Sequence, residues 1–258
     1  MLNLSVNAIK DFQICERLYD YRHEQKLPET VYSRDIYSIK FENTIKNIIH
    51  FFWFKKQAGI TPSYASLLNR WEKIWFPKDT SHYDIVTEKH ESAYGNVASL
   101  TTQAAAVLLR FHETYSQMDL IPISIFDDYV VSVNNSIRIE DKFDVIYRKD
   151  NENYVVKLMF NYKNNNHYMY QIDFASMYLA FKNLHPTRVK QTKFGYIDLL
   201  SNNLTFNEYT IGQQDVDSIE YWCDTIDSKD VYVPRRGLTQ YCKKCPFDTP
   251  CSKWNGWK

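Results

Sequence analysis

Apolar positions in the first half of the chain recur at steps of three and four residues, which is the period of an amphipathic helix. Ser5 is expected to cap a first helix, and Cys15 falls on the apolar stripe of that helix, so its thiol should face inward. Three further helices are predicted, over about 35–56, from Pro62 to Trp75, and over about 96–115.

From about residue 121 the hydrophobic period shortens to two, which is typical of β-strands. Strands joined as a meander are predicted over 123–125, 130–133, 137–139, 143–147 and 154–160. A helix over 167–183, two strands over 192–199 and 204–206, and a final helix over 214–225 are predicted to follow. This order predicts an α/β chain of the α+β type. We expect one domain over 1–258, with a helical region at 35–117, a core sheet with its helix at 118–210 and a cysteine-containing tail at 236–258.

The overall composition excludes some classes of protein. Lys plus Arg and Asp plus Glu both number 31, so nucleic-acid binding would need a local basic patch. The apolar runs are too short for a transmembrane helix, and the first residues lack a signal-peptide pattern, which favours a reducing cytoplasm without disulfides. The abundance of Tyr, Asn, Lys and Ile suggests an AT-rich genome such as that of a phage, in which case the compartment is the host cytoplasm.

The cysteines are distributed unevenly. Cys242, Cys245 and Cys251 form a Cys-x2-Cys-x5-Cys group near the end, whereas Cys15 lies near the start. A four-thiolate shell suits an iron–sulfur cluster or a zinc ion. Cys223 is expected to be an ordinary buried thiol.

The run Ser5-x3-Ile9-x2-Phe12-x2-Cys15-x3-Tyr19, together with the terminal cysteine group, resembles iron–sulfur nucleases related to RecB. That family, within the PD-(D/E)XK superfamily, includes the AddB-type nuclease domain and the CRISPR-adaptation exonucleases. The resemblance implies a restriction-endonuclease-like mixed sheet flanked by helices, with a 4Fe–4S cluster that fastens the two chain ends. The implied ligands are Cys15, Cys242, Cys245 and Cys251, and zinc is the alternative metal.

The nuclease site of that family needs two acids, a lysine, often a histidine on an upstream helix, and a glutamine on a downstream helix. Asp144 matches the first metal-binding acid. Lys157 and Met159 stand where the second acid and the lysine belong, and Lys46 replaces the histidine. Gln171 matches the glutamine. The resemblance therefore implies a degenerate active site.

A lysine at position 157 would repel a divalent cation, so no catalytic magnesium is expected, and Asp144 should form a partly buried salt bridge with Lys157. We expect a pseudo-nuclease that binds DNA or acts as a scaffolding subunit of a larger protein complex. An active metal-dependent DNA exonuclease with a remodelled site and a purely protein-binding subunit remain as alternatives. The basic residues that could contact a phosphate backbone are Arg188, Lys190, Arg235, Arg236, Lys243 and Lys244.

Overall fold

The computed structural model describes residues 2–29, 33–75, 91–92, 95–160, 167–234, 242 and 245–252. Every helix within these ranges falls short of the length and apolar character that crossing a membrane requires. The helices are α1 (Val6–Ile14), α2 (Glu16–Tyr19), α3 (Ser33–Gln57), α4 (Tyr64–Trp75), α5 (Val97–Tyr115), α6 (His167–Leu184), α7 (Gln213–Asp227) and α8 (Asp248–Ser252). The strands are β1 (Leu2–Ser5), β2 (Glu91–Ser92), β3 (Gly95–Asn96), β4 (Ile121–Ile125), β5 (Asp128–Ser132), β6 (Ile137–Lys142), β7 (Val145–Lys149), β8 (Glu152–Met159), β9 (Thr192–Asp198) and β10 (Asn207–Glu208).

The central sheet has five strands in the order β10-β9-β8-β7-β4. Strands β8 and β9 are parallel, so the chain must cross over between them, and α6 makes that crossover. A second sheet has the order β1-β6-β5, with β1 parallel to β6. The predicted meander is therefore wrong in its pairing, because β4 pairs with β7 while the β5–β6 hairpin joins β1.

The central sheet separates two hydrophobic cores. Helices α3, α4 and α5 pack on one face, and α1, α6, α7 and the second sheet pack on the other. Alternate residues of β8 enter the two cores, with Val156 and Leu158 on the α3 side and Val155 and Met159 on the α6 side. The architecture is a mixed α/β fold with two mixed sheets, which is consistent with the predicted α+β type, and helices lie on both faces of the central sheet.

Several local predictions can be compared directly with the structure. Ser5 caps α1, since its Oγ accepts a hydrogen bond from the Ala8 N–H at 3.0 Å. Cys223 is fully buried, as expected for an ordinary core thiol. The continuous stripe through Cys15 is wrong, because Cys15 is extended (φ −164°, ψ 121°), interrupts the helix between α1 and α2, and is only half-buried.

Candidate functional site

Asp144 is a buried carboxylate at the start of β7. Its Oδ2 accepts a hydrogen bond from the backbone N–H of Leu158 on β8 at 2.8 Å. Its Oδ1 lies 3.4 Å from Nε2 of His50 on α3, which is longer than a short hydrogen bond. The side chain thus joins α3 to two neighbouring strands of the sheet.

The electrostatic surroundings of Asp144 favour its ionised form. Burial by itself would raise the pKa of this carboxyl group. Lys46, His50 and Lys157 outweigh burial and hold the pKa well below the ordinary range of an aspartate. Lys46 precedes His50 by one helical turn, so both side chains lie on the same side of α3. Asp144 is therefore a permanent anion at neutral pH.

The direct Asp144–Lys157 salt bridge predicted from the sequence is wrong. Lys157 Nζ lies 3.3 Å from Asp173 Oδ1 and 3.6 Å from Asp141 Oδ2. Because side chains alternate along β8, Lys157 and Met159 point towards α6, whereas Asp144 meets α3. The residues expected to replace the second acid and the lysine of one site thus lie on the other face of the sheet.

Lys157 belongs to a separate buried group of charges beneath α6. Lys10 forms a second ion pair with Asp173, whose side chain is 3% exposed. Burial alone would lower the pKa of Lys157, but Asp173, Asp141 and Asp144 outweigh it and raise that pKa. Burial opposes ionisation of Asp173, yet Lys10 and Lys157 lower its pKa. Lys157 and Asp173 therefore remain charged at neutral pH, so this pair suits a structural role better than proton transfer.

Gln171 on α6 forms a side-chain hydrogen bond with α7. Its Nε2 donates to Asp215 Oδ1 at 2.7 Å, and Asp215 Oδ2 accepts the Gly212 N–H at the start of α7 at 2.7 Å. Gln171 thereby connects α6 to the first turn of α7.

The basic residues proposed for DNA contact divide into two groups. Arg188 and Lys190 are exposed and lie just before β9. The first residue of β9, Thr192, pairs with Asn153, and Asn153 lies at the opposite end of β8 from Leu158. Asn153 and Leu158 are five residues apart, which corresponds to about 16 Å along a strand. The structure therefore does not bring this pair to Asp144. Four other basic residues lie outside the described part of the chain, namely Arg235, Arg236, Lys243 and Lys244.

A cleft of about 490 Å³ opens beside Asp144, over His50. Sequence reasoning missed both His50 and Phe126, whose rings stack with centroids 4.7 Å apart. One signal could have found His50, since it follows Lys46 by four residues and must share its side of the helix. The cleft is lined by Asn43, Lys46, Asn47, His50, Phe51, Phe54, Arg70 and Phe126.

The cysteine tail lies against the start of the chain. Burial raises the pKa of the Cys245 thiol, and Cys15 and Cys242 are near enough to raise it further. Phe247, which is fully buried between Cys245 and Cys251, packs against the Tyr21 ring at 5.6 Å. Among the described residues, no group of three or more His, Cys, Asp or Glu side chains is already arranged to hold a metal ion. Cys15 and Cys242 lie near Cys245, and thiolate sulfur is a donor type that both iron–sulfur clusters and zinc accept.

Comparison with known proteins gives little further information. No family model matches the sequence, and no curated protein matches it. The chain is similar to a solved structure described as "Crystal structure of SSO0001", with 12% identity, coverage of 95% of this chain and 84% of that chain, and a TM-score of 0.38. A similarity at this level carries no argument about function.

Proposed function

We propose that this protein is a catalytically inactive member of the nuclease-like group described above, which binds nucleic acid or acts as a scaffolding subunit in a larger complex. The observation that carries the proposal is the surroundings of Asp144. Its oxygens face a backbone N–H, His50 and the field of Lys46. A magnesium ion prefers several oxygen ligands, and the β8 residues on this side are Val156 and Leu158.

Charge also argues against a cation beside Asp144. The ammonium of Lys46 supplies positive charge where a divalent ion would otherwise balance the carboxylate, and it would repel such an ion. The carboxylate therefore has its charge compensated by the protein itself. Retention of an anionic, buried Asp144 is explained by its contacts to α3 and β8, without any role in hydrolysis.

Cys15, Cys242, Cys245 and Cys251 would hold a 4Fe–4S cluster, with zinc as the alternative. When bound, the metal centre would supply cross-linking of the chain ends rather than redox or hydrolytic chemistry. Two observations support this proposal. Cys15 and Cys242 lie near enough to Cys245 to raise the pKa of its thiol, and Phe247 packs on Tyr21. The α2 segment adds contacts with the region after α7, since Glu16 pairs with Lys229 at 3.0 Å.

Two assays on the same purified protein test the proposed function. In the first assay, labelled single- and double-stranded DNA is incubated with the protein and magnesium or manganese, and cleavage of the DNA is measured. In the second assay, binding of the same DNA is followed by fluorescence anisotropy over a salt series. We expect binding at low salt without cleavage. Cleavage that Asp144→Ala abolishes would establish the active exonuclease instead, and absence of binding at low salt would remove the nucleic-acid part of the proposal.

A further inference from the structure

Glu16 on α2 contacts a short segment of chain that follows α7 and leads to the cysteine tail. Its Oε1 accepts a hydrogen bond from Nζ of Lys229 at 3.0 Å, and its Oε2 accepts the Val233 N–H at 3.0 Å. One carboxylate therefore holds both ends of residues Lys229–Val233, which we call the strap. The Glu16 side chain is only 15% exposed, so it is largely shielded from water, which strengthens both contacts.

An aromatic ring anchors the strap between these two polar contacts. The Tyr232 ring centroid lies 5.5 Å from that of Tyr19 and 6.3 Å from that of Phe12. Both partner rings are buried, so Tyr232 packs on the hydrophobic core at the start of the chain. Val231 and Val233, on either side of Tyr232, are exposed, which leaves Tyr232 as the apolar anchor of the strap.

The tail beyond the strap has a second anchor of the same kind. Phe247 is fully buried, its ring packs on Tyr21, and the guanidinium of Arg22 lies 5.9 Å from the Phe247 ring centroid. Arg22 is itself held by both carboxylate oxygens of Asp11 at 2.8 Å. These contacts and those of the strap are made by carboxylates, cations and rings rather than by sulfur atoms. They can therefore form whether or not a metal is bound.

The position of Glu16 in the sequence gives the strap a consequence for metal binding. Glu16 directly follows Cys15, and Cys245 lies twelve residues beyond Val233. Holding the strap at Glu16 therefore keeps the terminal cysteines at a high effective concentration near Cys15. We propose that Glu16 is a positioning residue, which docks the strap and the tail on the start of the chain before the metal binds. The metal then does not have to bring the two chain ends together. The inference rests on the cysteine ligands proposed above and adds a residue that is not itself a ligand.

The test measures hydrogen exchange by mass spectrometry in reduced protein from which a chelator has removed all metal. Glu16→Ala should speed exchange in the peptide that carries Val233 by about 10- to 100-fold, the range for loss of one hydrogen bond to a charged group. Exchange in residues 245–252 should become faster as well. Glu16→Gln keeps an oxygen that can accept the Val233 N–H and should stay closer to the wild type. The matched control is Glu113→Ala, exposed on α5, which should exchange as the wild type does.

The same variants are then titrated with Zn²⁺ in competition with a chromophoric chelator. Releasing the strap lowers the fraction of molecules that are ready to bind, so Glu16→Ala should bind Zn²⁺ about 10-fold more weakly than the wild type. Glu113→Ala should bind Zn²⁺ with unchanged affinity. Thermal unfolding of the metal-free variants shows whether the rest of the fold is intact.

The outcomes separate this inference from the proposed function. If the strap of the metal-free wild type exchanges as fast as an unfolded peptide and Zn²⁺ slows that exchange, the metal docks the tail, and the inference is overturned while the proposed ligands stand. Unchanged exchange in Glu16→Ala would overturn it as well. A wild type that holds neither iron after anaerobic purification nor added Zn²⁺ would refute the proposed ligands and the inference with them. If Glu16→Ala does not fold, Tyr232→Leu removes the ring contacts instead and should give the same faster exchange and weaker Zn²⁺ binding, and the absence of both effects would overturn the inference.

Discussion

Replacing Lys157 with methionine removes a buried ammonium while keeping the length of the side chain. Lys157 is 17% exposed, and its partner Asp173 is 3% exposed. Removing one member of a buried ion pair costs about 3–5 kcal/mol, because the other charge is left without its partner. Asp173 keeps Lys10, and Asp141 is 26% exposed and can be hydrated. We therefore expect the lower end, about 3 kcal/mol.

For a chain of about this size, that loss corresponds to a fall in Tm of about 6–12 °C. Thermal unfolding followed by circular dichroism at neutral pH measures it, with the exposed Lys190→Met as the matched control. Asp173→Leu and the double variant complete a double-mutant cycle. Because the two charges are in contact, the double variant should lose less stability than the sum of the single variants.

A Tm for Lys157→Met equal to that of the control would refute the structural role assigned to this lysine. Strict additivity in the cycle would refute the coupling to Asp173 even if the single variant were destabilised. A destabilised, non-additive result would place Lys157 in the α6 layer, independent of any nuclease chemistry.

Lys157→Asp combined with Met159→Lys restores the acid and the lysine in sequence but should not restore magnesium-dependent DNA cleavage, because both positions face α6. Any gained cleavage would contradict the assignment of faces. Asp144→Asn should lower Tm at neutral pH and flatten the fall of Tm in acid, since a lowered pKa contributes stability that is complete above about pH 4 and is lost below it. If Tm of Asp144→Asn falls in acid as steeply as Tm of the wild type, ionised Asp144 does not contribute to stability in this way. Cys245→Ser should abolish the visible absorption and the iron content of anaerobically purified protein, whereas Cys223→Ser should leave both unchanged. A colourless wild-type protein that contains zinc would show that the metal is zinc and would leave the proposed ligands unchanged.

The helices could be predicted because a helical period of apolar residues is visible in a local window. The Ser5 cap and the long helix α3 follow from such local signals. Strand pairing is a different problem, because a period of two shows that a segment is extended without showing its neighbour. The sequence therefore could not show that β4 joins β7 or that Leu2–Ser5 pairs with β6.

The site was predicted in part for a related reason. The resemblance to the nuclease family pointed to Asp144, and the structure places it against α3. The face of Lys157 was not predictable, because β8 is covered on both sides and Val155, Val156, Leu158 and Met159 are all apolar. Without alternation of apolar and polar residues around Lys157, the pattern does not show to which face its side chain points.

The charges on the two faces of β8 bear on the expectation that Lys157 replaces the second metal-binding acid and balances Asp144. A lysine that had replaced a metal ion would have to lie beside Asp144, yet Lys157 pairs with Asp173 and Asp141. The largest positive charge acting on Asp144 is Lys46 on α3, with a smaller contribution from Lys157, while His50 contacts one carboxylate oxygen and a backbone N–H holds the other. The carboxylate is consequently a link between α3 and the sheet. Because α3 also lines the cleft over His50, loss of that link should disturb the cleft as well as the fold.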